Sequence, residues 1–298
     1  MLTFNTEAYE KARAFLKSEA RPLERAMFEY EFENGSARRV LEELKTFQNE
    51  DGGFGHGLEP DVRCSESSAL ATTIAFQTLS ELNETDPDLV DKALNYLERT
   101  YQSEQKGWEI IPQAAEESPR AFWWEYGAFN DHWGNPNAEI AGYLIDYRTK
   151  LSDEWVNTVV DEAIRYLQET SDLAEMHEML CYIRLADRLT KVQYQQLEAK
   201  LDQFISNCVA ANPEEREGYC AVPLQILQSP NSRYYERFST YIPSDLDTLI
   251  EQQGEDGAWA PNWAWGRFEE QWQLAKTEWK GVITLNNLRV LRSFERLK

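Results

Sequence analysis

Apolar side chains recur along most of the chain at spacings of three and four residues. The segments 6–19 (TEAYEKARAFLKSE), 36–48 (SARRVLEELKTFQ), 68–82 (SALATTIAFQTLSEL), 88–101 (DLVDKALNYLERTY), 154–169 (EWVNTVVDEAIRYLQE) and 174–189 (AEMHEMLCYIRLADRL) each place them at i, i+3, i+4 and i+7, the mark of one buried helix face. Similar stripes predict helices over 136–150, 191–210, 216–228, 244–253 and 279–297. Alternating strand-type runs are almost absent. The pattern therefore predicts an all-α chain of roughly a dozen helices, each about three to four turns long.

The pattern also repeats. LEELKTFQNEDGGFG (41–55) aligns with LDTLIEQQGEDGAWA (246–260), so that Leu41 meets Leu246, Leu44 meets Leu249, Gln48 meets Gln253, Asp51-Gly52 meets Asp256-Gly257, and Phe54 meets Trp259. A worn third copy, YQSEQKGW (101–108), keeps Gln102 and Trp108 but has lost the Asp-Gly pair. A helix follows each copy, and in the first and last Thr72 and Thr284 hold the same relative place, as do Phe76 and Leu288. A glutamine at a helix end can satisfy groups left orphaned there, Asp-Gly supplies a tight reversal, and the aromatic tucks into the seam between neighbouring helix pairs. On this reading residues 48–54 are a joint. Between the second and last copies lie two helix pairs, 153–188 and 191–228, without the turn signature.

The Gln-x-x-Asp-Gly-x-Phe/Trp repeat resembles that of terpenoid cyclases of the squalene-cyclase type and of protein prenyltransferase β subunits. The helix-pair pattern extends the resemblance over most of residues 37–298. It implies an α/α toroid, a ring of helix pairs around a central cavity, forming a single domain over 1–298 with 1–36 as a helical segment packed on the ring. It further implies a small isoprenoid-like or other apolar-anionic ligand. The chain departs from the family's catalytic motifs. Nothing matches Asp-x-Asp-Asp; the nearest stretch, DPDLVD (86–91), reads as an N-cap with an acidic first turn. No two aspartates are adjacent, so the magnesium-binding Asp-Asp-x-x-Asp cluster is missing. The zinc-holding Asp-x-Cys is replaced by Asp61 and Cys64, one residue further apart, with His56 and His132 as conceivable partners. No P-loop, dinucleotide fingerprint or nucleophile elbow is present; the cofactor is unknown, with magnesium and zinc both open.

Bulk properties narrow the function classes. A formal net charge of -22, from 52 acidic and 30 basic residues, argues against a nucleic-acid partner, which needs a basic footprint. No run of eighteen apolar residues predicts a membrane span, and the N-terminus lacks the charged start and apolar core of a signal peptide. Four scattered cysteines suit a reduced, cytoplasmic setting. A small-molecule ligand is the expected partner; nothing in the chain points to a protein partner.

Candidate chemistry collects in the connections. Of ten tryptophans only Trp155 lies outside the windows 108–133 and 259–279, which follow the second and third turns. In a ring, these windows and the first connection (FGHGLEPDVRCSESS) should converge over the cavity mouth, where long loops serve as lids or binding loops. Trp123, Trp124, Trp133, Trp263, Trp265 and Trp272 would offer flat ligand-binding surface, with His56, Asn130 and Asn135 as polar contacts. Arg63, Arg120 and Arg267, one per connection, form a candidate anion clamp. Glu59, Asp61, Glu125, Asp131 and His132 are the catalytic candidates; the Asp131-His132 pair is the most reactive-looking, since a histidine held by a carboxylate is a ready general base. Glu139, Glu269 and Glu270 complete the acidic rim. Against this stands a plainer reading, in which the tryptophans cap the core and the arginines pair with neighbouring acids.

Three functions follow as expectations. The first is a prenyltransferase- or cyclase-like enzyme with an aromatic cavity that stabilises positive charge. The second is a carbohydrate-active hydrolase or lyase, in which tryptophans stack on sugar rings and two carboxyls act as acid and base. The third is a binding or docking module without chemistry.

Overall fold

The helical periodicity is realised nearly segment for segment. The computed structural model describes residues 1–127, 131–216 and 220–298. Among these are thirteen α-helices: α1 (Thr6–Ser18), α2 (Pro22–Phe32), α3 (Ala37–Lys45), α4 (Ala69–Ser80), α5 (Pro87–Thr100), α6 (Gly134–Asp146), α7 (Asp153–Glu169), α8 (Met176–Ala186), α9 (Lys191–Cys208), α10 (Pro223–Ile226), α11 (Tyr235–Phe238), α12 (Ile242–Glu251) and α13 (Glu269–Ser293). Extended backbone among the described residues is confined to isolated bridges. The chain is all-α, and no described helix is long and apolar enough to cross a membrane.

Local chemistry explains most boundaries. Asn5, Ser68, Asp86, Ser152 and Glu175 each accept a backbone N–H of the following first turn, satisfying donors that a helix start otherwise leaves unpaired. Two boundaries differ from the sequence pattern. Of the stretch 216–228, expected to be helical, residues 223–226 form a single turn: Pro223 holds Val222 extended, and Ala221 accepts from the Ala210 amide at 2.9 Å instead of joining a helix. Helix α13 begins ten residues before the expected 279. Two glutamates in its first turn favour that start, and Trp272 and Trp279 therefore sit on a helix, not in a connection.

The chain divides into two compact units, residues 44–208 and residues 1–43 with 209–298. In the first, α4, α6 and α8 pack side by side as one layer, while α7 and α9 form a second layer against α6 and α8. Tyr101, Trp108 and Trp155 meet edge-on, with centroids 5.1–6.3 Å apart, and tie the end of α5 to the start of α7. Gly142 lets α6 and α8 approach closely: a Cβ there would lie 2.9 Å from Arg188 Cδ and 3.4 Å from the Leu185 backbone. In the second unit α13 packs on α1 and α2, and α12 packs on α10; the Phe4 and Trp259 rings meet at a tilt within its core, 5.6 Å apart.

The repeated turn is the same object in both units. Gln48 Nε2 donates to the Gly52 carbonyl and to Leu89 O in the first turn of α5, both at 3.0 Å. Gln253 Nε2 donates to Gly257 O at 2.8 Å and to Ala8 O in the first turn of α1 at 2.9 Å. Gly52 and Gly257 have φ of 92° and 87°, and a Cβ on either would strike a backbone carbonyl, of Lys92 or of Lys11. The following aromatic then presents its buried N–H to the next helix: Phe54 N–H donates to Thr72 Oγ1 and Trp259 N–H to Thr284 Oγ1, both at 3.1 Å. The worn copy keeps this last bond with a different acceptor, Trp108 N–H donating to Asn137 Oδ1 at 2.8 Å. There Lys106, at φ 55°, supplies the left-handed residue.

Thr72→Val and Thr284→Val keep side-chain shape but leave a buried N–H without its acceptor. Each is expected to lower stability by about 1–3 kcal/mol in urea unfolding; a loss within about 0.5 kcal/mol, the usual range of neutral changes, would show that the bond does not anchor the turn.

Candidate functional site

Two of the three connections come together in residues 44–208. Segments 61–63 and 119–121 run antiparallel: Arg63 N–H donates to Pro119 O at 2.9 Å and Ala121 N–H to Asp61 O at 3.0 Å. Glu59 and Asp61 are buried beside this pairing, and the Asp61 amide reaches Glu59 Oε1 at 3.4 Å. Arg120 is buried and spends its guanidinium on its own loop, donating to Trp124 O, Glu116 O and Ser118 O at 2.7–3.1 Å and pairing with Glu125. It staples residues 116–125. Arg63 packs on Gly57. His56 is exposed at φ 55° and bonds Asn49 Oδ1 at 2.8 Å, so it belongs to the turn. Trp124 is buried, whereas Trp123 stacks edge-on against exposed Phe122.

Trp263, Trp265, Arg267 and Trp272 lie in the other unit. Trp265 and Trp272 are buried against each other at 5.8 Å, Trp263 meets Trp279 at 5.2 Å, and Arg267 lies over Phe268. Glu269 and Glu270 are exposed in the first turn of α13. Asn130 lies outside the described residues. Among those described, no three His, Cys, Asp or Glu side chains gather to hold a metal ion; Asp61 and Cys64 are both buried in their loop. A cavity of about 230 Å³ opens between Ser67, Tyr96, Thr100, Gln102, Trp108, Glu109, Gln113 and Tyr126, and the catalytic candidates are not in its lining.

The densest polar constellation is the seam between α6 and α8. Asp131, His132 and Trp133 lead into α6, and Tyr166 of α7 fixes them: its hydroxyl donates to Asp131 O at 2.9 Å and accepts from Trp133 N–H at 3.2 Å. The acidic group facing His132 is Glu178 of α8, whose Oε2 is 3.6 Å from Nδ1. The Glu178 side chain is 1% exposed and that of His132 22%. Glu178 Oε1 accepts the Gly134 amide at 2.7 Å, an approach only glycine permits, because a Cβ there would lie 2.5 Å from Tyr182 Cε2 and 2.8 Å from that oxygen. Burial pushes the Glu178 carboxyl up to about 8; the Gly134 N–H opposes this, and the negative charges of Glu175 and Asp172 add to it. Burial also works to raise Glu175, but its 2.6 Å bond to His177 pulls it below the ordinary range.

A second carboxyl lies further along the seam. Glu139, 2% exposed, accepts from Gln77 of α4 at 2.9 Å, from Tyr143 at 2.7 Å, and from Arg184 Nη1 at 3.0 Å, with the Cys181 thiol 3.6 Å away. Asn135, buried, takes the other side of Cys181 at 3.8 Å. Each buried carboxyl thus has one partly exposed basic group beside it, His132 at Glu178 and Arg184 at Glu139. Sequence reasoning reached His132, Asn135 and Glu139 but missed Glu178, Arg184, Gln77 and Tyr166. The available signal was faint: Gly134 and Gly142 at helix positions where glycine is unfavourable.

No protein-family model, curated protein or solved structure matches the chain.

Folded Glu178 holds its proton more tightly than the unfolded chain does. Its contribution to stability is complete below the ordinary glutamate value of 4.5 and is lost as pH rises through about 8. Urea titrations from pH 5 to 8 should show wild-type stability falling relative to Glu178→Gln, by at most about 1.4 kcal/mol per pH unit. Equal slopes in the two proteins would show that Glu178 keeps an ordinary pKa.

Proposed function

We propose that the chain is an enzyme that moves protons at the α6–α8 seam, with Glu178 and His132 as its acid–base pair and a small, polar substrate of the carbohydrate class. The observation that carries this reading is a buried carboxyl with affinity for its proton near neutrality, set 3.6 Å from a partly exposed imidazole. A group that changes protonation near the working pH can both give and take a proton during a turnover. His132 meets the substrate; Glu178 behind it supplies or withdraws the proton, and the Gly134 amide fixes the carboxyl's orientation. Arg120, committed to its own loop, leaves the connections a weaker clamp for a diphosphate, which favours a polar, weakly charged substrate.

A second reading, an isoprenoid-like ligand in a prenyltransferase- or cyclase-like α/α toroid, draws support from the bond-for-bond reproduction of the repeat turn. A thermal-shift and turnover panel of oligosaccharides, aryl glycosides and prenyl diphosphates separates the two. On the first reading a glycoside is turned over, and Glu178→Gln and His132→Ala each lose about 100-fold or more in kcat, the usual yield of a positioned acid or base, with ligand stabilisation kept. Full turnover in both variants would sink the acid–base assignment. Stabilisation by prenyl diphosphates alone would put the isoprenoid reading first.

A further inference from the structure

We infer that Arg184 is the recognition group for a carboxylate on the substrate, held against Glu139 at the opposite end of the seam from His132. This inference rests on the acid–base reading of the seam and names a chemical feature its substrate must carry.

Arg184 has five N–H donors in a planar fork, and its one hydrogen bond, from Nη1, goes to Glu139. The other donors have no protein partner among the described residues. About a third of the side chain, 35%, is accessible. Its position is fixed from behind, because Glu139 is itself held by Gln77 and Tyr143. A guanidinium anchored by one nitrogen, with its remaining donors open, is pre-organised for the bidentate capture of an oxyanion. The neighbouring arginine is used up: Arg188 bonds Asp146 at 2.7 Å and the Arg184 carbonyl at 2.9 Å, and lies over the Tyr143 ring.

Charge selects the kind of anion. Arg184 and Glu139 together are neutral, so a bound carboxylate leaves one net negative charge at the site, in a chain of net charge -22, and a phosphate dianion leaves two. A phosphate or diphosphate would bring more uncompensated charge beside a buried carboxyl. Geometry selects the size. Glu178 and Arg184 stand six residues apart on α8, about 9 Å along its axis and roughly a third of a turn around it, so a ligand that bridges Arg184 and His132 must be at least that long. A monosaccharide acid has that chemistry.

The test is thermal stability of the full chain in sodium glucuronate, glucose 6-phosphate and glucose, each against sodium chloride at matched ionic strength. Glucuronate is expected to raise Tm saturably, glucose not at all, and glucose 6-phosphate less than glucuronate. The glucuronate shift should vanish in Arg184→Met and shrink in Arg184→Lys, which keeps the charge but loses the fork. Because Arg184→Met leaves Glu139 unpaired, the double variant E139Q/R184M removes both partners and should fold and show no shift. An unchanged shift in these variants, an equal shift with glucose, a larger one with glucose 6-phosphate, or none with glucuronate would overturn the assignment. Retained turnover in Glu178→Gln alongside an intact Arg184-dependent glucuronate shift would instead locate the failure in the acid–base reading.

Discussion

A buried backbone N–H must find an acceptor, and this fold meets that constraint the same way three times. Each turn ends on an aromatic too large to leave in water, so its amide is buried with it. The acceptor comes from the next α-helix along the chain: Thr72, Asn137 or Thr284. One hydrogen bond thereby fixes the depth of the aromatic, the end of the turn and the rotation of the following helix. In two of the three turns the glutamine does the complementary work, Gln48 and Gln253 each joining its turn to the first turn of a neighbouring helix. Everything inserted between aromatic and acceptor is then a loop with both ends fixed, free to vary in length and content.

The polar seam depends on a second constraint, the close approach of α6 to α8. Gly134 and Gly142 remove the side chains that would hold the helices apart, and the space admits two carboxyls that are nearly inaccessible to water. A buried carboxyl is tolerated when it is bonded and partnered. Glu139 meets that condition with three donors; Glu178 meets it partly, with one amide and a histidine at longer range. The difference separates the two carboxyls: Glu139 has its oxygens held by three donors, while burial dominates at Glu178 and raises its affinity for a proton.

Much of this architecture is legible in the chain. The 3.6-residue pattern gives the helices, and the turn repeat, down to Thr72 and Thr284, rests on residue types whose local chemistry demands that geometry. The seam is harder to read because its bonds span distances the pattern does not encode: Gly134 and Glu178 are 44 residues apart. Tryptophan clustering marks packing as much as surface. Trp108 and Trp259 each turn an indole N–H back onto the helix before them, and Trp265 and Trp272 fill a core. Helix α13 reads late because its first ten residues, EEQWQLAKTE, carry strong helix formers but few apolar side chains at helical spacing.

Asn137 shows what the worn copy of the turn gained. A threonine hydroxyl at that place would serve the aromatic amide alone. The carboxamide accepts from Trp108 and also donates to the Trp133 carbonyl at 2.6 Å, one residue from His132. The copy furthest from the repeat is therefore the one wired into the seam. One carboxamide thus ties the depth of the Trp108 indole to the backbone that leads into α6, so this turn and the start of the seam move as a single body.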